Sequence, residues 1–216
     1  MKAALLLLAV VPAGALWWGS KARSVWRPGP IEIDGLSDDW RGVETDDAHE
    51  ISFAFCNDDK YLYVLFGGHT REAKDQLSGA HGQELAVWID PEGNTKHVRG
   101  FKVGVAAPGA TTRAVENVGL PEGAALQIGP LDKRGMVEAR IPLSAFGSPL
   151  PRAASVGLEA SVMRDAPVKK RQHIIETDNG SDPSAKNPYL ADRTYKADPD
   201  NQPVSVWVRV TFAEKP

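Results

Sequence analysis

The chain has 216 residues, 42% of them hydrophobic and 25% charged, with a formal net charge of −3. That balance excludes a disordered or collagen-like chain, suits one domain that needs no staple, and offers no basic face for a nucleic-acid backbone. Cys56 is the only cysteine, which excludes an internal disulfide, a cysteine-rich zinc site and a cluster held by four thiolates.

In chain order, Met1-Lys2 precedes an apolar run from Ala3 to Leu16, broken at Pro12 and Gly14. With the small residues Ala13-Gly14-Ala15 at its end, it has the form of a secretory signal peptide over residues 1–15. The rival reading is an uncleaved anchor reaching residue 19. Trp17 and Trp18 would then sit at the membrane interface. Both readings place the folded part outside the cytoplasm, periplasmic or secreted, and only the second brings contact with a membrane. Residues 16–30, closing with Arg27-Pro28-Gly29-Pro30, read as a linker.

After the linker, period-two signals recur and helix signals are scarce. Ile51, Phe53 and Phe55 alternate with smaller residues, and Tyr61 to Phe66 is a β-branched and aromatic run ending at Gly67-Gly68. Asn57-Asp58-Asp59-Lys60 between them predicts a hairpin turn, with Cys56 as a small buried residue on a strand. Leu85, Val87 and Ile89 share one face of the next strand, which stops at Asp90-Pro91-Glu92-Gly93-Asn94. Phe101, Val103 and Val105 alternate before Pro108-Gly109, and weaker strands are expected at Thr112 to Val118 and Ala125 to Ile128. Val137, Ala139 and Ile141 alternate before Pro142, and Leu143 to Phe146 suits one short helical turn. Val156, Leu158, Ala160 and Val162 form a further face, and Val204, Val206, Val208, Val210 and Phe212 alternate most cleanly of all. About nine closely spaced strands with little helix predict an all-β fold over residues 31–213, an antiparallel, jelly-roll-like β-sandwich. Residues 167–203 interrupt it as a long polar loop bearing Tyr189 and Tyr195. It reads either as a loop that contacts a ligand or as a solvated one.

Chemistry-bearing patterns are few. No Gly-x-Ser-x-Gly, His-Glu-x-x-His or phosphate-loop motif occurs, so no catalytic residue is assigned and the protein reads as a non-enzyme. His69 and His81 flank what reads as a polar hairpin, with no metal motif behind them. Asp90, Glu92 and Asn94 form a turn cluster that suits capping of backbone amides, a structural calcium being the alternative, although the EF-hand order of ligands is missing. The tryptophans are more informative. If Leu85, Val87 and Ile89 face the core, Trp88 faces outward beside Glu84 and Asp90, and Trp207 by the same parity faces outward beside Arg209. An exposed indole covers the C–H face of a pyranose while polar neighbours bond its hydroxyls.

The stretch Ile31-Glu32-Ile33-Asp34-Gly35-Leu36-Ser37-Asp38-Asp39-Trp40 resembles the opening of the family 9 carbohydrate-binding modules and their DOMON-like relatives. These begin with an apolar-x-Ile-Asp-Gly stretch and an Asp-x-x-Trp or Asp-Trp pair. The resemblance continues through Asp58 to Val64, Glu84 to Asp90, Val137 to Phe146 and Arg164-Asp165, and spans Ile31 to Phe212. Asp34-Gly35 suits a tight turn and Trp40 a ring plugging one end of the sandwich, so these three residues read as structural. The resemblance implies binding of an oligosaccharide or polysaccharide, sometimes with calcium, and attachment to an envelope or secreted enzyme complex. It also implies an alternative, a periplasmic haem b electron-transfer domain with Met163 or Met136 as an axial ligand. A structural or protein-interaction sandwich is the third class. The favoured reading is an exported, non-catalytic carbohydrate-binding domain. Trp88, Trp207, Tyr189 and Tyr195 are its expected aromatic platforms, and Glu84, Asp90 and Arg209 their hydrogen-bonding neighbours.

Overall fold

The computed structural model describes residues 20–78, 84–105, 113–129, 135–161 and 204–216. Within them the chain forms a β-sandwich of two sheets. The strands are β1 (Ser20–Arg23), β2 (Val25–Trp26), β3 (Asp46–Ala48), β4 (Ile51–Asn57), β5 (Tyr61–Gly68), β6 (Leu85–Asp90), β7 (Arg99–Val103), β8 (Val115–Val118), β9 (Ala125–Ile128), β10 (Met136–Pro142), β11 (Ala153–Ala160) and β12 (Val204–Thr211). Sheet A runs β1-β12-β11-β6-β7-β8. Sheet B runs β2-β4-β5-β10-β9, with β3 also paired to β4. A 3-10 turn covers Leu143–Phe146, where one helical turn is expected.

The alternating residues supply the core. Phe53, Phe55, Leu62, Val64, Phe66, Val137 and Ile141 of sheet B meet Leu85, Val87, Ile89, Phe101, Val156, Leu158, Val206 and Val208 of sheet A, and all are buried. Burying side chains of this size stabilises the fold by about 1.5–3 kcal/mol each before entropy is counted. The outward side of sheet B carries a second apolar cluster, in which Ala54, Cys56, Tyr63 and Leu65 are covered by Ile31 and Trp40. This explains why Tyr61 to Phe66 is apolar at every position, since both faces of that strand are covered. Burial pushes the Cys56 thiol up to about 12, so it stays protonated at neutral pH.

Glu138 fastens the covering segment. Its carboxylate, on β10 and fully buried, accepts N–H bonds from Gly35 (2.6 Å), Asp34 (3.0 Å) and the Trp40 indole. Burial pushes the Glu138 carboxyl up to about 7, against the pull of these three donors. Gly35 adopts φ +79°, and a Cβ there would lie 2.4 Å from the Gly129 nitrogen, so this turn accepts only glycine.

The fold departs from the sequence reading at several points. Residues 20–26, read as linker, form β1 and β2, so the sandwich begins before residue 31. Both pair in parallel, β1 with β12 and β2 with β4, which makes each sheet mixed rather than purely antiparallel. The stretch changes sheet at Ser24, which is buried. Its hydroxyl donates to Asn57 Oδ1 and accepts the Ala213 N–H at 2.8 Å. Finally, the polar hairpin expected between His69 and His81 is in part a helix, α1 (Arg71–Ser78). Thr70 Oγ1 caps it by accepting the Ala73 N–H at 3.1 Å, and Ala73 and Leu77, one turn apart, bury its inner face.

Candidate functional site

The segment around Ile31 and Trp40 covers much of the outer side of sheet B, and the outward face of sheet A carries its own rows of large side chains. Strand register sets them in rows. One row reads Gly100, Trp88, Gly157, Trp207 across β7, β6, β11 and β12. The neighbouring row reads Glu116, Lys102, Ala86, Glu159, Ser205, starting from β8. A third reads Asp90, Ser155, Arg209.

Glycine alternates with tryptophan because the indoles lean over it. A Cβ on Gly157 would meet Trp207 Cδ2 and Cε2 at 2.6 Å, and one on Gly100 would meet the Val87 carbonyl oxygen at 2.1 Å and Trp88 Cε3 at 2.9 Å. Small residues next to large ones hollow the face. A groove of about 710 Å³ opens beside Trp88, and Glu84, Lys102, Glu116, Glu159, Ser161 and Ser205 supply its polar lining. Among the described residues the lining mixes carboxylates, the Lys102 ammonium and hydroxyls around an indole. That set accepts from and donates to a polyhydroxylated guest while an apolar surface supports it.

The expected residues fall in different places. Trp88 points outward as parity predicts, but it is only 7% exposed, so it is not the open platform expected. Lys102 Nζ lies 5.8 Å from its ring centroid, and the His97 imidazole stacks on it at 4.9 Å and 23°. Trp88 Nε1 is buried and meets no acceptor among the described residues. Trp207 is half-buried, and the same imidazole stacks on it at 5.8 Å and 17°. Glu84 is exposed and lines the groove.

Asp90 is corrected from ligand contact to turn anchor. Its fully buried carboxylate accepts the N–H groups of Glu92, Asn94 and Lys96, each at 2.9 Å. Arg209 is exposed, and its guanidinium lies against the Gly93 turn, where a Cβ on Gly93 would meet Nη1 at 3.3 Å. It is not among the groove-lining residues. Met136 is half-buried and packs against the outer cluster of sheet B, on the opposite layer from the groove. Tyr189, Tyr195 and Met163 lie outside the described residues, as does the whole of 167–203. Among the described residues no group of three or more His, Cys, Asp or Glu side chains is placed to hold a metal ion.

His97, Lys102, Glu159 and Ser205 escaped the sequence reading. Lys102, Glu159 and Ser205 stand two residues from Gly100, Gly157 and Trp207, so strand parity was the available signal. His97 carried no such signal, because it belongs to the β6–β7 connection and reaches the tryptophans only through the way that hairpin folds back.

No family model matches the sequence, and no curated protein matches it. Among solved structures, the chain is similar to a family 9 carbohydrate-binding module from Caldicellulosiruptor kristjanssonii in complex with glucose. The identity is 16%, over 66% of this chain and 78% of that one, at a TM-score of 0.39. It is also similar to a family 9 module from the same organism in complex with cellotriose, at 15% identity over 89% of this chain and 95% of that one, with a TM-score of 0.40.

Proposed function

We propose that this protein is a non-catalytic saccharide-binding domain and that the outward face of sheet A is its binding surface. The observation that carries the reading is the juxtaposition on one face of two outward indoles, each leaning over a glycine, with a groove of about 710 Å³ lined by Glu84, Lys102, Glu116, Glu159, Ser161 and Ser205. A pyranose has an apolar C–H face and a rim of hydroxyls. Indole matches the first, and carboxylates, ammonium and hydroxyl groups match the second. The form of residues 1–15 supports a working place in the periplasm or outside the cell.

The test is retention of the folded protein on a panel of insoluble neutral and charged polysaccharides, with soluble oligosaccharides followed by calorimetry. Trp207→Ala and Glu159→Ala are expected to lose at least tenfold in affinity while keeping the wild-type circular dichroism spectrum. A wild-type protein that binds nothing in the panel, or a Trp207→Ala variant that binds as tightly as wild type, would overturn the proposal.

A further inference from the structure

We infer that the His97 imidazole is a built-in occupant of the aromatic surface, which a saccharide ring must displace before it can lie on Trp88 and Trp207. The inference rests on the saccharide reading and adds to it a gate within the chain itself. Three observations lead there. First, one five-membered ring stacks on both indoles, at 4.9 Å and 5.8 Å between centroids and within 23° of parallel to each. A flat guest stacking on both rings would need that same place. Second, His97 Nε2 lies 2.9 Å from Glu159 Oε1, and Glu159 lines the groove. The imidazole therefore engages a carboxylate that a sugar hydroxyl would otherwise use. Third, the Trp88 Nε1–H is buried and meets no acceptor among the described residues. A buried donor in this condition is a standing cost that an oxygen-rich guest relieves once the cover moves.

The imidazole borders solvent on its outer side. The His97 side chain is 53% exposed, so it leaves through solvent rather than through packed atoms. The turn that carries it is held from below instead, by the three N–H bonds to Asp90 that end at Lys96. A rotation of one side chain thus clears the indoles and releases Glu159 together, while the backbone stays in place.

The experiment compares wild type, His97→Ala and His97→Ser, all as the full chain, by calorimetry against soluble trisaccharides of glucose, mannose, xylose and N-acetylglucosamine. Acrylamide quenching of tryptophan fluorescence is measured on the same samples. Both variants are expected to bind at least tenfold more tightly than wild type and to show more accessible tryptophan. Affinity equal to wild type overturns the inference and leaves the saccharide reading standing. Weaker binding by a folded variant also overturns it, because His97 would then be a contact to the guest. If no form binds any trisaccharide and wild type is not retained on insoluble polysaccharide, both proposals fall.

Discussion

Glu138 shows how one buried carboxylate sets a pH dependence. In the unfolded chain a glutamate loses its proton near 4.5, whereas in the fold burial holds this one to about 7. Between those values the unfolded chain binds fewer protons than the folded one, so stability falls as pH rises. Below about 4.5 both states are protonated and the full contribution is present; above about 7 it is lost. The size is roughly 3 kcal/mol, taking about 1.4 kcal/mol per unit. Urea denaturation at a series of pH values should show wild type losing this much relative to Glu138→Gln, which cannot titrate. Gly157 makes a second prediction. Alanine there drives a methyl into the Trp207 ring at 2.6 Å. The expected results are a loss of roughly 1–3 kcal/mol and a red-shifted tryptophan emission as the ring is pushed outward. Thermal unfolding and fluorescence check both. The sequence shows a glycine inside each of two strands, but only the register reveals that each lies under an indole.

At the scale of elements, the start of the β6–β7 connection is anchored by the Asp90 carboxylate. Removing its carboxylate strands three amide N–H groups beneath the turn. Asp90→Ala is expected to cost roughly 3 kcal/mol and to speed hydrogen exchange at Glu92, Asn94 and Lys96. A spectrum in which these amides keep their protection would contradict that role. Elements were legible wherever one face met the core. The faces read from Ile51, Phe53, Phe55 and from Leu85, Val87, Ile89 pack inward, because a strand with one buried side alternates. β1, β2 and β3 gave little signal. Ser20–Arg23 and Asp46–Ala48 are short, charged edge segments, as edges commonly are. The helix Arg71–Ser78 was hidden because Ala73 and Leu77 are its only buried apolar residues. Asp90 was misassigned for a related reason. An acidic residue at a strand end looks the same whether it faces solvent or its own backbone.

Among the described residues the two outer faces differ, one largely covered by the segment around Ile31 and Trp40 and the other bearing the groove beside Trp88. The resemblance of that segment to a family opening placed it in a sandwich, and the structure has that architecture. The position of the groove was not legible, since it comes from five strands distant in sequence whose small residues fall side by side. The two sheets are also tied at one corner by Ser24, Asn57 and Ala213, where the Ala213 N–H reaches both Ser24 Oγ (2.8 Å) and Asn57 Oδ1 (2.9 Å). Asn57→Ala is expected to cost roughly 2–3 kcal/mol, because it leaves the Ser24 hydroxyl and the Ala213 carbonyl short of partners in a buried corner. Equilibrium denaturation measures it, and a change under about 0.5 kcal/mol would remove the tie from the list of stabilising contacts.

The pairing of β1 with β12 also governs timing. The first edge of sheet A has β12 as its neighbour, so synthesis must pass residue 211 before Ser20–Arg23 can find its hydrogen bonds. Until then the early residues have no ladder to join in that sheet, and loop closure across most of the chain must precede the reward. Chains cut short of β12 should therefore remain open to protease at this end, and acquire resistance abruptly once β12 is included.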